Sequence, residues 1–222
     1  MKTKISDLYD LSNTIAAPLL ERYEYPWQAL AHIKEFILEL GPTLPADEFD
    51  NPAEGVWIAK DAHVFESAYI GSPLIIDHKA EVRHCAFLRC PAIVGKGAVV
   101  GNSCELKNVI LFDKVQVPHY NYVGDSILGF CAHMGAGSIT SNLKSDKSLV
   151  KVKDFATGEV IETGIKKFGA MVGDLVEIGC NTVLNPGTVI GPNTNIYPLS
   201  PVRGYVPANR IFKAHGNIVE KY

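Results

Sequence analysis

Apolar residues recur at every sixth position along most of the chain. Ile58, Val64, Ile70, Ile76, Val82, Leu88, Val94, Val100, Leu106, Phe112 and Pro118 keep this count. Val172, Ile178, Leu184, Ile190, Ile196 and Val202 resume it. A second, usually small residue follows four positions later, as in Ala62, Ala68, Ala80, Ala86, Ala92, Ala98 and Cys104, then Val176, Thr182, Thr188, Thr194 and Ser200. Glycine often comes directly after the apolar residue, at Gly71, Gly95 and Gly101. A period of six fits neither a helix of 3.6 residues per turn nor two-residue alternation along a long strand. It predicts short strands joined by tight corners, one inward apolar residue per wall, and glycine where a corner needs unusual dihedrals. Three walls make an eighteen-residue coil that stacks on the next at about 4.8 Å. The expected fold is mainly β, a parallel β-helix.

Two segments stand outside the rhythm. Residues 1–55 form an N-terminal helical segment, with Leu8, Leu11, Ile15 and Leu19 on one face. A second helix is expected from Pro26 through Trp27, Leu30, Ile33, Ile37 and Leu40, ending at Gly41-Pro42. This helical pair is expected to cover the open first coil. The β-helix domain then spans 56–222, interrupted by an excursion over 143–170. There Val150 and Val152, then Val160 and Ile161, flank a turn-like Ala-Thr-Gly and predict a projecting hairpin loop. Loops thrown out of a rigid solenoid often shape a site. A smaller irregularity falls within 115–125: after Pro118 the next apolar residue is Val123, one position early. The beat continues less evenly through Leu128, Met134 and Thr140.

Composition narrows the class. The chain has 222 residues, is 47% hydrophobic and 20% charged, and carries a net charge of −3. It lacks the basic stripe of a nucleic-acid binder. No apolar run is long enough to cross a bilayer and the N-terminus has no signal-peptide core, so no membrane association is expected. Five cysteines without a Cys-x-x-Cys pair suit a reducing, cytoplasmic setting, and Cys85, Cys90, Cys104 and Cys131 read as small interior or corner residues.

Stacking brings distant residues together. Arg89 and Lys107 are eighteen apart, each directly after an inward residue, so they should lie one above the other. Two cations about 5 Å apart repel unless an anion lies between or beside them. The next coils should add Gly124 and then Ser141 with Asn142. His119 opens, and Tyr122 nearly closes, the wall leading into Gly124. The short count is expected to draw His119 toward this column, so that Arg89, Lys107, His119, Tyr122 and Asn142 share one patch. Arginine and lysine there would hold a phosphate. Imidazole titrates near neutral pH, so a histidine can take a proton from an attacking amine. Asn142 could orient that imidazole or bond the substrate, and Tyr122 could pack against or bond a sugar. No serine or cysteine is placed for attack, which favours direct displacement over a covalent intermediate.

At these residues a family resemblance enters. The runs LRCPAIVGKGAVVGNSCELKN, PHYNYVGDSILG and HMGAGSITSN resemble the acetyltransferase half of bifunctional N-acetylglucosamine-1-phosphate uridyltransferases. The segments NLK, VKVKD and TGIKKFGAMVGD are similar to archaeal sugar-1-phosphate nucleotidylyltransferase/acetyltransferases. The resemblance covers roughly 57–205. It implies a left-handed hexapeptide β-helix, homotrimeric, acting on a hexosamine-1-phosphate with acetyl-CoA lying between neighbouring β-helices. It places the catalytic base on His119 and the sugar-phosphate ligands on Arg89, Lys107, Tyr122 and Asn142. His133 stands where the family carries a substrate-contacting asparagine. On the coenzyme side Ala136 matches, Cys180 replaces a common serine, and Pro198 replaces a common alanine. Leu143 replaces the usual aromatic, and the usual lysine beyond it is displaced to Lys144 or Lys147. Only fifty-odd residues precede the β-helix and carry no glycine-rich nucleotide loop, so nucleotidyltransferase activity is not expected. A second class is a non-catalytic binding or scaffolding β-helix. A zinc site is not expected, since His63, His78, His84, His119 and His133 lack the five-residue pair of such hydratases.

Overall fold

The computed structural model describes residues 1–213 and 217–221. Short parallel strands stack into three walls. One wall carries the inward residues Ile58, Ile76, Val94, Leu111, Leu128, Val172, Ile190 and Val206 in continuous register. Val64, Val82, Val100, Val117, Met134, Ile178, Ile196 and Phe212 line the second, and Ile70, Leu88, Leu106, Val123, Thr140, Leu184 and Val202 the third. The fold is thus the expected parallel β-helix, with a core of stacked aliphatic side chains. The coils approach so closely at Gly101 that a Cβ there would lie 1.6 Å from the Pro118 carbonyl oxygen.

The N-terminal residues are helical as expected: short turns at Ile5–Leu8, Leu11–Asn13 and Ala17–Leu20 stand for the first helix, and the second runs from Pro26–His32 directly into Ile33–Leu40, ending at Gly41. They do not close the open end of the first coil, although Gly41 meets the Trp57 ring on its outer face. They lie along the first wall as a strap, because that wall is apolar on its outer face too. Ile75, Ile93, Ile110, Ile127, Met171 and Val189 stack outward in register and are fully buried. Tyr9 packs on Phe112 with ring centroids 5.0 Å apart, and Trp27 stacks on Phe168 at 5.6 Å. Backbone bonds from Asp113 N–H to Asn13 O (3.0 Å) and Asp174 N–H to Leu8 O (3.1 Å) pin the strap. The first coil is closed instead by Phe49–Ala53, which pairs antiparallel with Val56–Ala59.

The excursion forms the expected hairpin, with Lys151–Lys153 antiparallel to Val160–Glu162. Phe168 at its base is fully buried. Among the described residues no helix is long and apolar enough to cross a membrane.

The lost count is elsewhere than the sequence suggests. Leu106 opposes Leu88, eighteen residues earlier, but Val109 opposes Ala92, only seventeen earlier. Asn108 alone therefore makes the corner that Cys90 and Pro91 make one coil below. The same shortening recurs one coil above, where Lys107 opposes Gly124 and Val109 opposes Ser126, leaving Asp125 alone at the corner. The wall ending in His119 keeps its register, with Val117 opposite Val100 and His119 opposite Asn102. Phe112 and Pro118, buried next to the true ladder residues Leu111 and Val117, prolong the count of six and hide the earlier loss.

Candidate functional site

The two one-residue corners are left-handed, with φ of 58° at Asn108 and 48° at Asp125. Asparagine and aspartate tolerate that conformation better than other side-chain-bearing residues. Stacked on each other, they build a polar cluster around Asp125, which is 3% exposed. Its carboxylate accepts from Lys107 Nζ at 2.8 and 2.9 Å, Asn108 Nδ2 at 2.9 Å and Asn142 Nδ2 at 2.6 Å. Asn142 Nδ2 also donates to the Tyr122 hydroxyl at 3.2 Å. The excursion leaves and re-enters at this point, with Phe168 N–H donating to Asn142 O and Gly169 N–H to Asp125 O.

Arg89 and Lys107 are neighbours in register, as the coil count predicts. Their repulsion is relieved within the chain: Asp125 holds Lys107, and Glu105 Oε1 accepts from Arg89 Nη1 at 3.1 Å. The Arg89 side chain is 56% exposed, so this is a surface pair of small net strength that an incoming phosphate can exchange for. Burial, and then the negative charges of Glu105 and Asp125, raise the Tyr122 phenol above its ordinary pKa, so it stays neutral and able to donate.

His119 is exposed at the end of the preceding wall, Gln116–His119, across the Tyr120-Asn121 corner from Tyr122. Its backbone N–H donates to Asn121 Oδ1 at 3.0 Å. Asn121 is buried and anchors that corner through bonds to Gly135 O and Ser138 O. Among the described residues the His119 imidazole makes no hydrogen bond. Of the five residues, Lys107, Tyr122 and Asn142 join one bonded group with Arg89 beside it, and His119 stands across one corner from Tyr122 without a hydrogen bond to them. Asn142 is committed to Asp125 and Tyr122, not to the imidazole. The physical reason is the position of the lost residue, which draws Asp125 rather than His119 into the cationic column.

Register also assembles the second group. Gln116 opposes His133, so His119 faces Ala136 one coil up; Met134 opposes Ile178, and Ile178 opposes Ile196, so Cys180 and Pro198 follow. Backbone bonds run up this corner from Gly137 N–H to His119 O, Asn181 N–H to Ala136 O and Leu199 N–H to Cys180 O. His119, Ala136, Cys180 and Pro198 thus form one column along an open edge of the solenoid. Among the described residues the N–H of Ala136 has no acceptor. His133 lies on the same wall as His119, one coil up and opposite Gln116, where its Nδ1 bonds Glu177 Oε2 at 2.8 Å. Asp125 and Asn108 carry much of the site and were not anticipated; the five-residue steps from Leu106 to Leu111 and from Val123 to Leu128 were the available signal.

Burial raises the thiols of Cys90, Cys104 and Cys131, that of Cys90 to about 12. None of these three supplies a thiolate at neutral pH.

A β-helix carrying a polar, lysine-centred corner beside an exposed histidine column defines the class, and comparison with known proteins defines the family. The chain belongs to the family described as the GMPPB C-terminal domain, which matches residues 70–196. It is 34% identical over 158 residues to the bifunctional sugar-1-phosphate nucleotidylyltransferase/acetyltransferase of Sulfurisphaera tokodaii, covering 71% of this chain and 39% of that protein. It is 38% identical over 111 residues to the bifunctional protein GlmU of Methanococcus maripaludis, covering 50% of this chain and 26% of that protein. The putative uncharacterized acetyltransferase YaiX of Escherichia coli is 28% identical over 177 residues, with 79% of this chain and 74% of YaiX covered. The chain thus spans well under half the length of the first two relatives.

Proposed function

We propose that the protein is an acetyl-CoA-dependent N-acetyltransferase acting on a hexosamine-1-phosphate. The observation that carries this reading is the register that sets His119 at the foot of the Ala136–Cys180–Pro198 column, one short wall from the Lys107–Asp125–Asn142–Tyr122 group. In this reading the sugar phosphate exchanges with Glu105 for Arg89 and reaches the Lys107 ammonium, and the Tyr122 hydroxyl donates to the sugar. The coenzyme runs up the column with its thioester near His119. The sugar amine attacks the thioester carbonyl carbon while His119 takes a proton from the nitrogen. The C–N bond forms, the carbonyl oxygen becomes an oxyanion facing the Ala136 N–H, and the C–S bond then breaks. The thiolate leaves and is protonated, giving the N-acetyl sugar phosphate and coenzyme A. The open edge along which the column runs favours a homotrimer, in which a neighbouring copy closes the coenzyme site.

The test is thiol release from acetyl-CoA with glucosamine-1-phosphate, galactosamine-1-phosphate and unphosphorylated glucosamine. At least one phosphorylated sugar should release thiol well above background and faster than glucosamine. Background release with all three would overturn the proposal.

A further inference from the structure

The hairpin does more than project. It folds back over the last coils and closes two adjoining clefts that share Phe155 and Arg203. Lys144, Lys151, Lys153 and Arg203 line the first, of about 310 Å³, and no carboxylate lines it among the described residues. The second, of about 580 Å³, is mainly apolar, with Tyr205, Val206, Pro207 and Phe212 on its wall. Asp154 also borders it, but its carboxylate accepts from the Ala156 N–H at 2.9 Å within the hairpin turn. Gly204 sets the fit between hairpin and coil, since a Cβ there would lie 2.2 Å from the Lys153 carbonyl oxygen.

The charges are unevenly compensated. Glu162 pairs with Lys151 at 2.6 Å and Asp146 with Lys144 at 3.5 Å. Among the described residues Lys153 and Arg203 have no ion-pair partner. Like charges gathered in one cleft repel, and an anion bound there would relieve that repulsion. Phe155, 68% exposed, stands between the cationic and apolar clefts with its ring available for stacking.

This place is separate from the site around Lys107. Arg203 lies four coils up the same column, through Gly124, Ser141 and Asn185, at about 19 Å by the strand spacing. A sugar phosphate bound at Lys107 does not reach it.

We infer that the double cleft under the hairpin binds a nucleoside diphosphate. The phosphates lie against Arg203 and Lys153, the guanidinium supplying a planar fork and the ammonium a point charge. The base enters the apolar cleft and stacks on Phe155, as aromatic side chains accept any base face. Two ligands carry this chemistry: the adenosine diphosphate end of coenzyme A, and the nucleotide of a sugar nucleotide. Pro198, at the top of the histidine column, belongs to the same coil as Arg203, so the coenzyme is geometrically suited. The inference does not depend on acetyl transfer taking place.

The experiment is calorimetric titration of the full chain with ADP, UDP, GDP, coenzyme A and inorganic pyrophosphate. Nucleoside diphosphate should bind more tightly than pyrophosphate. Arg203→Ala and Lys153→Ala should each weaken it roughly tenfold. Phe155→Ala should weaken nucleotide binding about tenfold while leaving pyrophosphate unchanged. All three side chains are exposed, and unchanged thermal melting verifies folding. Binding of ADP and coenzyme A without UDP or GDP assigns the cleft to the coenzyme, and comparable binding of UDP or GDP assigns it to a sugar nucleotide. These affinities are read without turnover, which keeps this result distinct from the acetyltransferase assay. Absence of nucleotide binding, equal affinity for pyrophosphate, or indifference to both Arg203→Ala and Lys153→Ala would overturn the inference.

Discussion

Asp125→Ala should cost the fold about 3–5 kcal/mol, the range for removing one partner of a buried ion pair. The carboxylate accepts from a lysine and two asparagine amides at one crowded corner. Without it the Lys107 ammonium, four-fifths enclosed, loses its counter-charge, and Asn108 and Asn142 lose an acceptor. Alanine also fits the left-handed backbone at φ 48° poorly. Partial water access to Lys107 argues for the lower end of the range. Asp125→Asn should cost less, since asparagine keeps one oxygen acceptor and tolerates the conformation. Urea unfolding with an unchanged slope is the measurement. A loss below about 1 kcal/mol, typical of exposed pairs, would mean that the corner is solvated rather than built around this charge.

His119→Ala should lower kcat of the proposed transfer by about 10²- to 10⁴-fold, the usual contribution of a positioned general base. The KM for the amino-sugar phosphate should change little, because the phosphate-binding Arg89 and Lys107 sit at the far end of the Tyr122–Gly124 wall and the Tyr122 hydroxyl makes no bond to His119. Stability should hold, since the imidazole is exposed and unbonded among the described residues. Steady-state kinetics on variant and wild type separate these effects. A kcat within a few-fold of wild type would place proton removal on another group.

Much of the architecture was legible because a six-residue period has few physical solutions. The inward ladder, the hairpin and the eighteen-residue neighbours Arg89 and Lys107 all follow from counting. The column of His119, Ala136, Cys180 and Pro198 was named from family resemblance, and the register places those four residues one above another. What escaped the count was local. Phe112 and Pro118 are apolar and buried, so they pass for ladder residues and shift the lost position from Asn108 and Asp125 to the neighbourhood of His119. The second miss was the role of the N-terminal residues. The runs Leu74-Ile75-Ile76, Ala92-Ile93-Val94 and Val109-Ile110-Leu111 are apolar on both faces, the mark of a strand buried on two sides. That signal calls for a cover along the wall rather than a lid on the end. The ties of the strap, such as Asp10 N–H to Asp174 Oδ2 at 2.7 Å, join residues 164 apart and leave no periodic trace.

Coenzyme binding tests the central claim most directly, because the reading as an acetyltransferase rests on the column above His119. Calorimetric titration of the wild-type chain with acetyl-CoA should give saturable binding at one coenzyme per chain, and Ala136→Arg, which fills the column one coil above His119, should abolish it. Binding of a hexosamine-1-phosphate with no detectable binding of acetyl-CoA would contradict the account and leave a sugar-phosphate-binding protein without acetyl transfer.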